Sequence, residues 1–299
     1  MRRAAAQARA AAALAARGQP APVPMGPEGA RQAHLFRAER PEGPLVVKTW
    51  APEAAERARA QARRQSELAP ALQDGPCRVP AVHFFDEDHL ALAMQAVPGH
   101  DLATLWQDRG DPRLARAAGH WLRALHGLSL RETRFDPKGQ VNWLDRLVAA
   151  GEAGNRAIPD LPGFTRAARA VQARMVAAAG RSATRAITHR DMTLSNLMLD
   201  ASGTVWGLDV ENRREDEPLR DLFTLALDLA TLGPGDAGPG RAALIAGYGD
   251  AQTHPLVRLA LQGGFALWVW ANTPARPSRR QIRRLAFAER VLADDAPLI

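Results

Sequence analysis

The sequence predicts an α+β chain with room for two lobes sharing a cleft. Its 299 residues suffice for two such bodies with ample core. Three patterns supply the strand and helix content. Leu45-Val46-Val47-Lys48-Thr49-Trp50 is a short β-type run entered through the turn Pro41-Glu42-Gly43-Pro44. From Pro52 to about Leu72 the period changes to that of a helix, with Gln61, Gln65, Leu68 and Leu72 on one inward face. Far downstream, Leu197-Met198-Leu199, the turn residues Asp200-Ala201-Ser202-Gly203 and then Thr204-Val205-Trp206 read as a hairpin.

Taken in chain order, Met1 to Gly18 is Ala-rich with arginines and no acid, and Ala10 to Ala16 is too weakly apolar for a secretory core. Residues 1–20 are therefore expected as a helix or arm leading into the first lobe. Next, Gly26 and Gly29 lie in Met25-Gly26-Pro27-Glu28-Gly29, ahead of His34-Leu35-Phe36-Arg37. Glycines between two strands let backbone amides approach a phosphate closely. The same residues also read as an ordinary hairpin turn. Lys48 is a more pointed choice. The chain carries 39 Lys+Arg, yet only Lys48 and Lys138 are lysines. A compact ammonium in a half-buried strand suits nucleotide phosphates better than a planar guanidinium does; the alternative is a strand lysine that snorkels.

The richest stretch is His189-Arg190-Asp191-Met192-Thr193-Leu194-Ser195-Asn196, followed after the hairpin by Gly207-Leu208-Asp209. An acid, an amide five residues on and a second acid match the needs of metal-assisted phosphoryl transfer. Asp191 can accept the proton of an attacking hydroxyl. Asn196 and Asp209 offer hard oxygen ligands for magnesium, which neutralises charge on the transferred phosphate of ATP.

Together these residues resemble the aminoglycoside phosphotransferase and choline kinase superfamily, over roughly residues 22 to 293. The resemblance is most specific from His189 to Asp221, where Asp209, Pro218 and Asp221 keep the family's intervals and Glu211 stands where choline-kinase-like members also have Glu. It implies a bilobal protein-kinase-like fold, with a small β-rich N-lobe over 21–97 and a larger, mainly helical C-lobe over 98–299. It further implies that Met94-Gln95-Ala96-Val97-Pro98-Gly99-His100-Asp101-Leu102 is the hinge, with Gln95 and Val97 contacting the nucleotide. Leu122-Arg123-Ala124-Leu125-His126 would end a long helix of the C-lobe. His189 and Arg190 would support the catalytic loop, Arg190 by bonding backbone. Asp221 would accept loop amides and cap its own helix.

One departure bears on activity. In this fold an acid on the first long helix pairs with the strand lysine, and the position aligned with it here is Gln65. Glu67 is rotated about 200° away on a helix of 3.6 residues per turn, and Glu53 and Glu56 lie near the helix start. A neutral partner for Lys48, or an alignment off by one turn, would account for this. The first option keeps open a nucleotide-binding pseudokinase without turnover.

Composition sets further limits. A single cysteine, Cys77, excludes an internal disulfide framework and suits a cytoplasmic setting. No apolar run is long enough for a membrane span. The formal net charge of +7 invites a nucleic-acid reading, but the arginines are dispersed and not interleaved with aromatics, so no nucleic-acid partner is expected. Between Asp209 and Asp221 there is no Ser, Thr or Tyr, which argues for a small-molecule hydroxyl substrate over a protein kinase with a phosphorylated loop. For that substrate, expected against helices from about Arg241 to Leu292, two readings of opposite charge stand. Trp268 or Trp270 could wall a quaternary ammonium; Arg213 and Arg214 could hold an anion. Core packing of the tryptophans remains a third.

Overall fold

The computed structural model describes residues 1–26, 31–233 and 237–299. They cluster into two compact units: residues 1–101 with 196–213, and residues 102–195 with 214–299. The division does not follow one cut along the chain, because the segment Asn196–Arg213 belongs with the first unit.

The first unit is built on a five-stranded antiparallel sheet. Its strands are β1 (Val23–Met25), β2 (Ala33–Ala38), β3 (Leu45–Trp50), β5 (Val82–Asp86) and β6 (Ala91–Gln95), in the order β1-β2-β3-β6-β5. The alternation of β3 explains its two faces. Leu45 and Val47 point to one side, where α1 (Arg3–Ala15) buries Ala6, Ala10, Ala13 and Leu14 against them. Alanines on that stripe let the helix lie close to the strands, so the arginine-rich start is part of a core and not a loose arm. Val46, Lys48 and Trp50 point to the other side. There α2 (Ala55–Ala71), entered through a short turn at Pro52–Ala54, packs Ala58 and Ala62 beside Trp50, Leu92 and Met94.

A second, smaller sheet of this unit orders β4 (Cys77–Arg78), β11 (Val205–Gly207), β10 (Leu197–Leu199) and β7 (His100–Asp101). β10 and β11 form the expected hairpin, Leu197 opposite Gly207 and Leu199 opposite Val205. Its turn is closed by the Asp200 carboxylate, which accepts from the backbone of Ser202 and Thr204 and from Trp206 Nε1 at 2.9 to 3.0 Å. The Ser202 hydroxyl, which donates to Oδ1 at 2.6 Å, together with Trp206 and those backbone donors holds the Asp200 carboxyl down at about 2. The strand leading to β7 crosses the hairpin at Gly99, whose φ is +101°. A Cβ there would stand 2.1 Å from the Leu199 carbonyl oxygen, so only glycine fits.

The second unit is mainly helical. It holds α3 (Leu102–Arg109), α4 (Pro112–Gly127), α5 (Lys138–Glu152), α6 (Leu161–Ala177), α7 (Leu219–Leu232), α8 (Gly238–Tyr248), α9 (Pro255–Ala271) and α10 (Arg279–Ala293). A three-stranded sheet joins β12 (Glu215–Asp216), β9 (Ser182–Ile187) and β8 (Arg131–Arg134) in the order β12-β9-β8. Helix α7 is apolar nearly all round and buries ten of its residues, two of them acids, Asp221 and Asp228. Among the described residues no helix is long and apolar enough to cross a membrane.

Candidate active site

The sequence-predicted residues fall in both units, and each unit assembles its share through buried polar contacts. In the first, the pleat of β3 aims Lys48 at the α2 side of the sheet, where it is 7 % exposed. Its Nζ donates to Asp209 Oδ1 at 2.8 Å and to Gln61 Oε1 at 2.9 Å, and lies 5.0 Å from the Trp50 ring. Buried charge survives where it is paired and hydrogen-bonded, and Lys48 is both.

The partner on α2 is Gln61, not Gln65. The alignment from sequence was off by one turn: Gln65 stands behind, its Oε1 accepting from Gln61 Nε2 at 3.2 Å and its own Nε2 donating to the Pro80 carbonyl at 3.0 Å. The result is a chain of neutral amides running from the lysine into the backbone beyond α2. Glu67 faces away, as its rotation predicts, and pairs with Arg213 at 2.8 Å. That contact engages Arg213, one of the two arginines expected for an anion, with a carboxylate of α2. Arg57 meets Glu211 at 2.9 Å.

Asn196 and Asp209 flank the open end of the β10–β11 hairpin. The backbone N–H of Leu208 donates to the Asn196 carbonyl at 2.8 Å, extending the ladder by one step. Asp209 then turns into a left-handed backbone, φ +56°, and presents a side chain that is 49 % exposed. A non-glycine residue in that region is strained by about 1–3 kcal/mol and persists where its surroundings impose it. Next to Lys48 on the same sheet face, Leu35 lies opposite it and Met25 opposite Leu35, both about two-fifths exposed. With Val46 they form an apolar strip beside the ammonium. Gln95 ends β6, its N–H donating to the Ala81 carbonyl at 2.9 Å, and its side chain lines a cavity with Gln73, Arg78 and Trp206. Val97 follows it, half-buried. Gly26 has φ +75°, while Gly29 lies outside the described residues.

The second unit carries Asp191, which is exposed, on a loop anchored from beneath. Asp221 is fully buried and accepts from the backbone N–H of His189 at 2.6 Å and of Arg190 at 2.9 Å. His126 Nε2 is 3.1 Å from the same carboxylate, and its Nδ1 is 3.1 Å from Tyr248 Oη. The Asp221 carboxylate accepts, so Nε2–H of His126 is its donor. Burial pushes Tyr248 up to about 12, so the hydroxyl beside Nδ1 keeps its proton. The expected helix cap does not form: Asp221 is spent on the loop, and α7 starts at Leu219 after Pro218, without a side-chain cap. Arg190, also left-handed at φ +69°, sends its side chain toward Asp216 at 3.8 Å and not to backbone. His189 packs its ring edge-on to Trp121.

Sequence reasoning missed a second anchor. Asp228, 1 % exposed, accepts from the Leu194 N–H at 3.1 Å and pairs with Arg280 at 2.7 Å and Arg284 at 3.3 Å. The signal was present: an acid inside the apolar run Leu222–Leu232, and two arginines one helical turn apart on α10.

The second unit also contains a cavity of about 280 Å3, lined by Gln140, Trp143, Arg190, Glu217, Phe265 and Trp268 among others. Trp268 is 40 % exposed there, whereas Trp270 is buried and donates to the Pro159 carbonyl at 2.8 Å. Burial, aided by the hydrogen bond and charge of Asp216, pushes the Glu217 carboxyl up to about 7 against the pull of Arg185. Burial also pushes Asp216 up, but the hydrogen bond from Glu217 and the charges of Arg220 and Arg190 outweigh it and hold Asp216 low.

The chain belongs to the phosphotransferase enzyme family, whose model matches residues 27–260. In fold it is similar to the macrolide 2'-phosphotransferase of Brachybacterium faecium, at 17% identity, covering 95% of this chain and 98% of that one with a TM-score of 0.60. A choline kinase from Streptococcus pneumoniae is similar at 15% identity, 91% and 94% coverage and a TM-score of 0.57. So is a spectinomycin phosphotransferase in complex with ADP and spectinomycin, at 12% identity, 92% and 93% coverage and a TM-score of 0.55. No curated protein matches the chain in sequence. The architecture is the α+β protein-kinase-like fold that the sequence resemblance implied.

Proposed function

We propose that this phosphotransferase moves the γ-phosphate of ATP to a hydroxyl of a small molecule, with magnesium. The observation that carries the reading is the 2.8 Å contact between Lys48 and Asp209, residues 161 positions apart. It joins a buried ammonium to a strained, solvent-facing carboxylate. Two supports stand beside it: the family match, and the ADP in the spectinomycin phosphotransferase that shares the fold.

The donor set fits magnesium. Asn196 and Asp209 are hard oxygen donors at the end of one hairpin, and no cluster of three or more His, Cys, Asp or Glu exists among the described residues to form a closed cage. Magnesium is held in that manner, by one or two carboxylates with waters and substrate phosphate completing its shell. When bound, it supplies charge neutralisation on the phosphate oxygens. Lys48 would bear on the nucleotide phosphates, and the strip of Met25, Leu35 and Val46 would take the base, with Gln95 and Val97 supplying backbone groups. Asp191 would orient the acceptor hydroxyl. As its oxygen bonds to the γ-phosphorus and the bond to the β-phosphate oxygen breaks, the hydroxyl proton passes to Asp191, and ADP leaves. Catalysis is then positioning and charge stabilisation. The acceptor would enter the cavity of Trp143, Phe265 and Trp268, which includes Arg190, the neighbour of Asp191.

The test is thermal stabilisation by ATP with and without magnesium, followed by turnover with hydroxylated acceptors. A magnesium-dependent shift lost in Asp209→Asn is expected. Asp191→Ala should abolish turnover and spare nucleotide affinity, and Lys48→Ala should weaken both. Near-full activity in Asp191→Ala would overturn these roles. The neutral Gln61 beside Lys48 favours a second reading, a nucleotide-binding pseudokinase; ATP binding without turnover on any acceptor would be its result.

A further inference from the structure

The cavity proposed above for the acceptor has charged groups at one end, and each is already matched within the protein. Arg220 bonds Asp216 Oδ2 at 2.7 Å, and Arg190 lies 3.8 Å from the same oxygen. Glu217 is 7 % exposed, bonded by Arg185 at 3.2 Å and hydrogen-bonded to Asp216. The Phe265 ring has the Arg220 guanidinium 5.9 Å from its centroid, so the protein's own cation occupies the cation–π position. An incoming ammonium would therefore lose its hydration and find no uncompensated carboxylate.

The rest of the lining is apolar: Trp143, Met175, Leu261, Phe265 and Trp268. Gly264 lets the Met175 methyl pack close to α9, since a Cβ there would come within 2.9 Å of Met175 Cε. The volume of about 280 Å3 is at the lower end of small-molecule sites, which run roughly 300–1,000 Å3.

Building on the acceptor reading of this cavity, we propose that the acceptor is a small uncharged alcohol with an apolar body, packed between Trp143, Phe265 and Trp268. A polycationic sugar or a quaternary ammonium is the wrong class for this wall. The high position of Glu217, about 7, agrees: the carboxyl pair shares a proton at neutral pH, as it would where no ligand charge is awaited.

Choline and dimethylbutanol, its uncharged carbon isostere, test charge at constant shape. Ligand-observed NMR titration of the nucleotide-free full chain at pH 7 measures both, on wild type and on Trp268→Ala, whose folding is checked by its thermal melt; the side chain is 40 % exposed. Dimethylbutanol is expected to bind about tenfold more tightly than choline, and to lose at least about tenfold in Trp268→Ala. Choline binding as tightly as its isostere, or more so, in a Trp268-dependent way would overturn the uncharged class and leave the acceptor cavity standing. If neither ligand showed Trp268-dependent binding, the cavity assignment itself would fall, and this proposal with it.

Discussion

Replacing Gln61 with alanine isolates what the neutral amide does for Lys48. The ammonium has two acceptors, Gln61 Oε1 and Asp209 Oδ1, at nearly equal distance. Gln61 is fully buried, so truncation removes one acceptor from a place that water reaches only by entering the vacated volume. A hydrogen bond to a charged group contributes about 1.5–3 kcal/mol, and the lost amide also deprives Gln65 of its donor. A stability loss of about 2–3 kcal/mol is expected, which for a chain of this size lowers Tm by roughly 4–10 °C. Lys48 is then drawn wholly to Asp209, the carboxylate proposed for magnesium. A drop in kcat/KM for ATP of about 10–100-fold follows, equivalent to about 1.4–2.7 kcal/mol of transition-state stabilisation. Gln65→Ala is the matched control. It touches Gln61 and the Pro80 carbonyl but not the lysine, so it should destabilise similarly and lower kcat/KM less than about threefold. Scanning fluorimetry and steady-state kinetics at varied ATP read both. Equal kinetic losses in the two variants would refute the one-turn assignment, because the amide chain would then act only as packing.

Two further outcomes follow from buried acids of the second unit. Asp228→Asn should destabilise by about 1–2 kcal/mol in urea titration, since it removes the charged acceptor of Arg284 and of the nearly half-exposed Arg280 while relieving the burial that pushes the Asp228 carboxyl up; no measurable loss would mean water satisfies the arginines. Glu217 has a folded pKa of about 7, above its unfolded value of 4.5. The folded state therefore holds a proton that the unfolded chain releases, and the group's contribution is fully present below about 4.5 and lost as pH rises through about 7. Glu217→Gln should flatten that part of the stability–pH curve, gaining up to about 3 kcal/mol relative to wild type at pH 8. An unchanged slope would show that Arg185 keeps Glu217 ionised.

Local patterns carried much of this architecture. The hairpin was legible because Asp200 and Gly203 are turn residues between apolar runs, and its strands match the expected ones to within a residue. Lys48 stood out by its rarity among arginines. Helical spacing placed Gln61 and Gln65 on one inward face, but periodicity gives the face and not the height at which a helix crosses a strand. Only the packing of Ala58 and Ala62 against Trp50 decides which amide meets the lysine. Asp228 was hidden for a related reason: an acid in an apolar run declares its burial, while its partners on α10 are set by tertiary contact. The two tryptophans of α9 could not be told apart from sequence, since both read as core residues. Their two-residue offset turns Trp268 to the cavity and Trp270 to the Pro159 carbonyl.

The segment Asn196–Arg213 completes a unit whose other residues end at Asp101. During synthesis roughly a hundred residues must be added between those points, which takes on the order of ten seconds. Throughout that interval the nascent first unit lacks β10 and β11, and β4 and β7 have no strand between them to pair with. Its buried lysine likewise waits for its carboxylate. The first unit therefore stays incomplete until Arg213 has cleared the exit tunnel, and a chain ending at Asp101 would lack the two central strands of its smaller sheet.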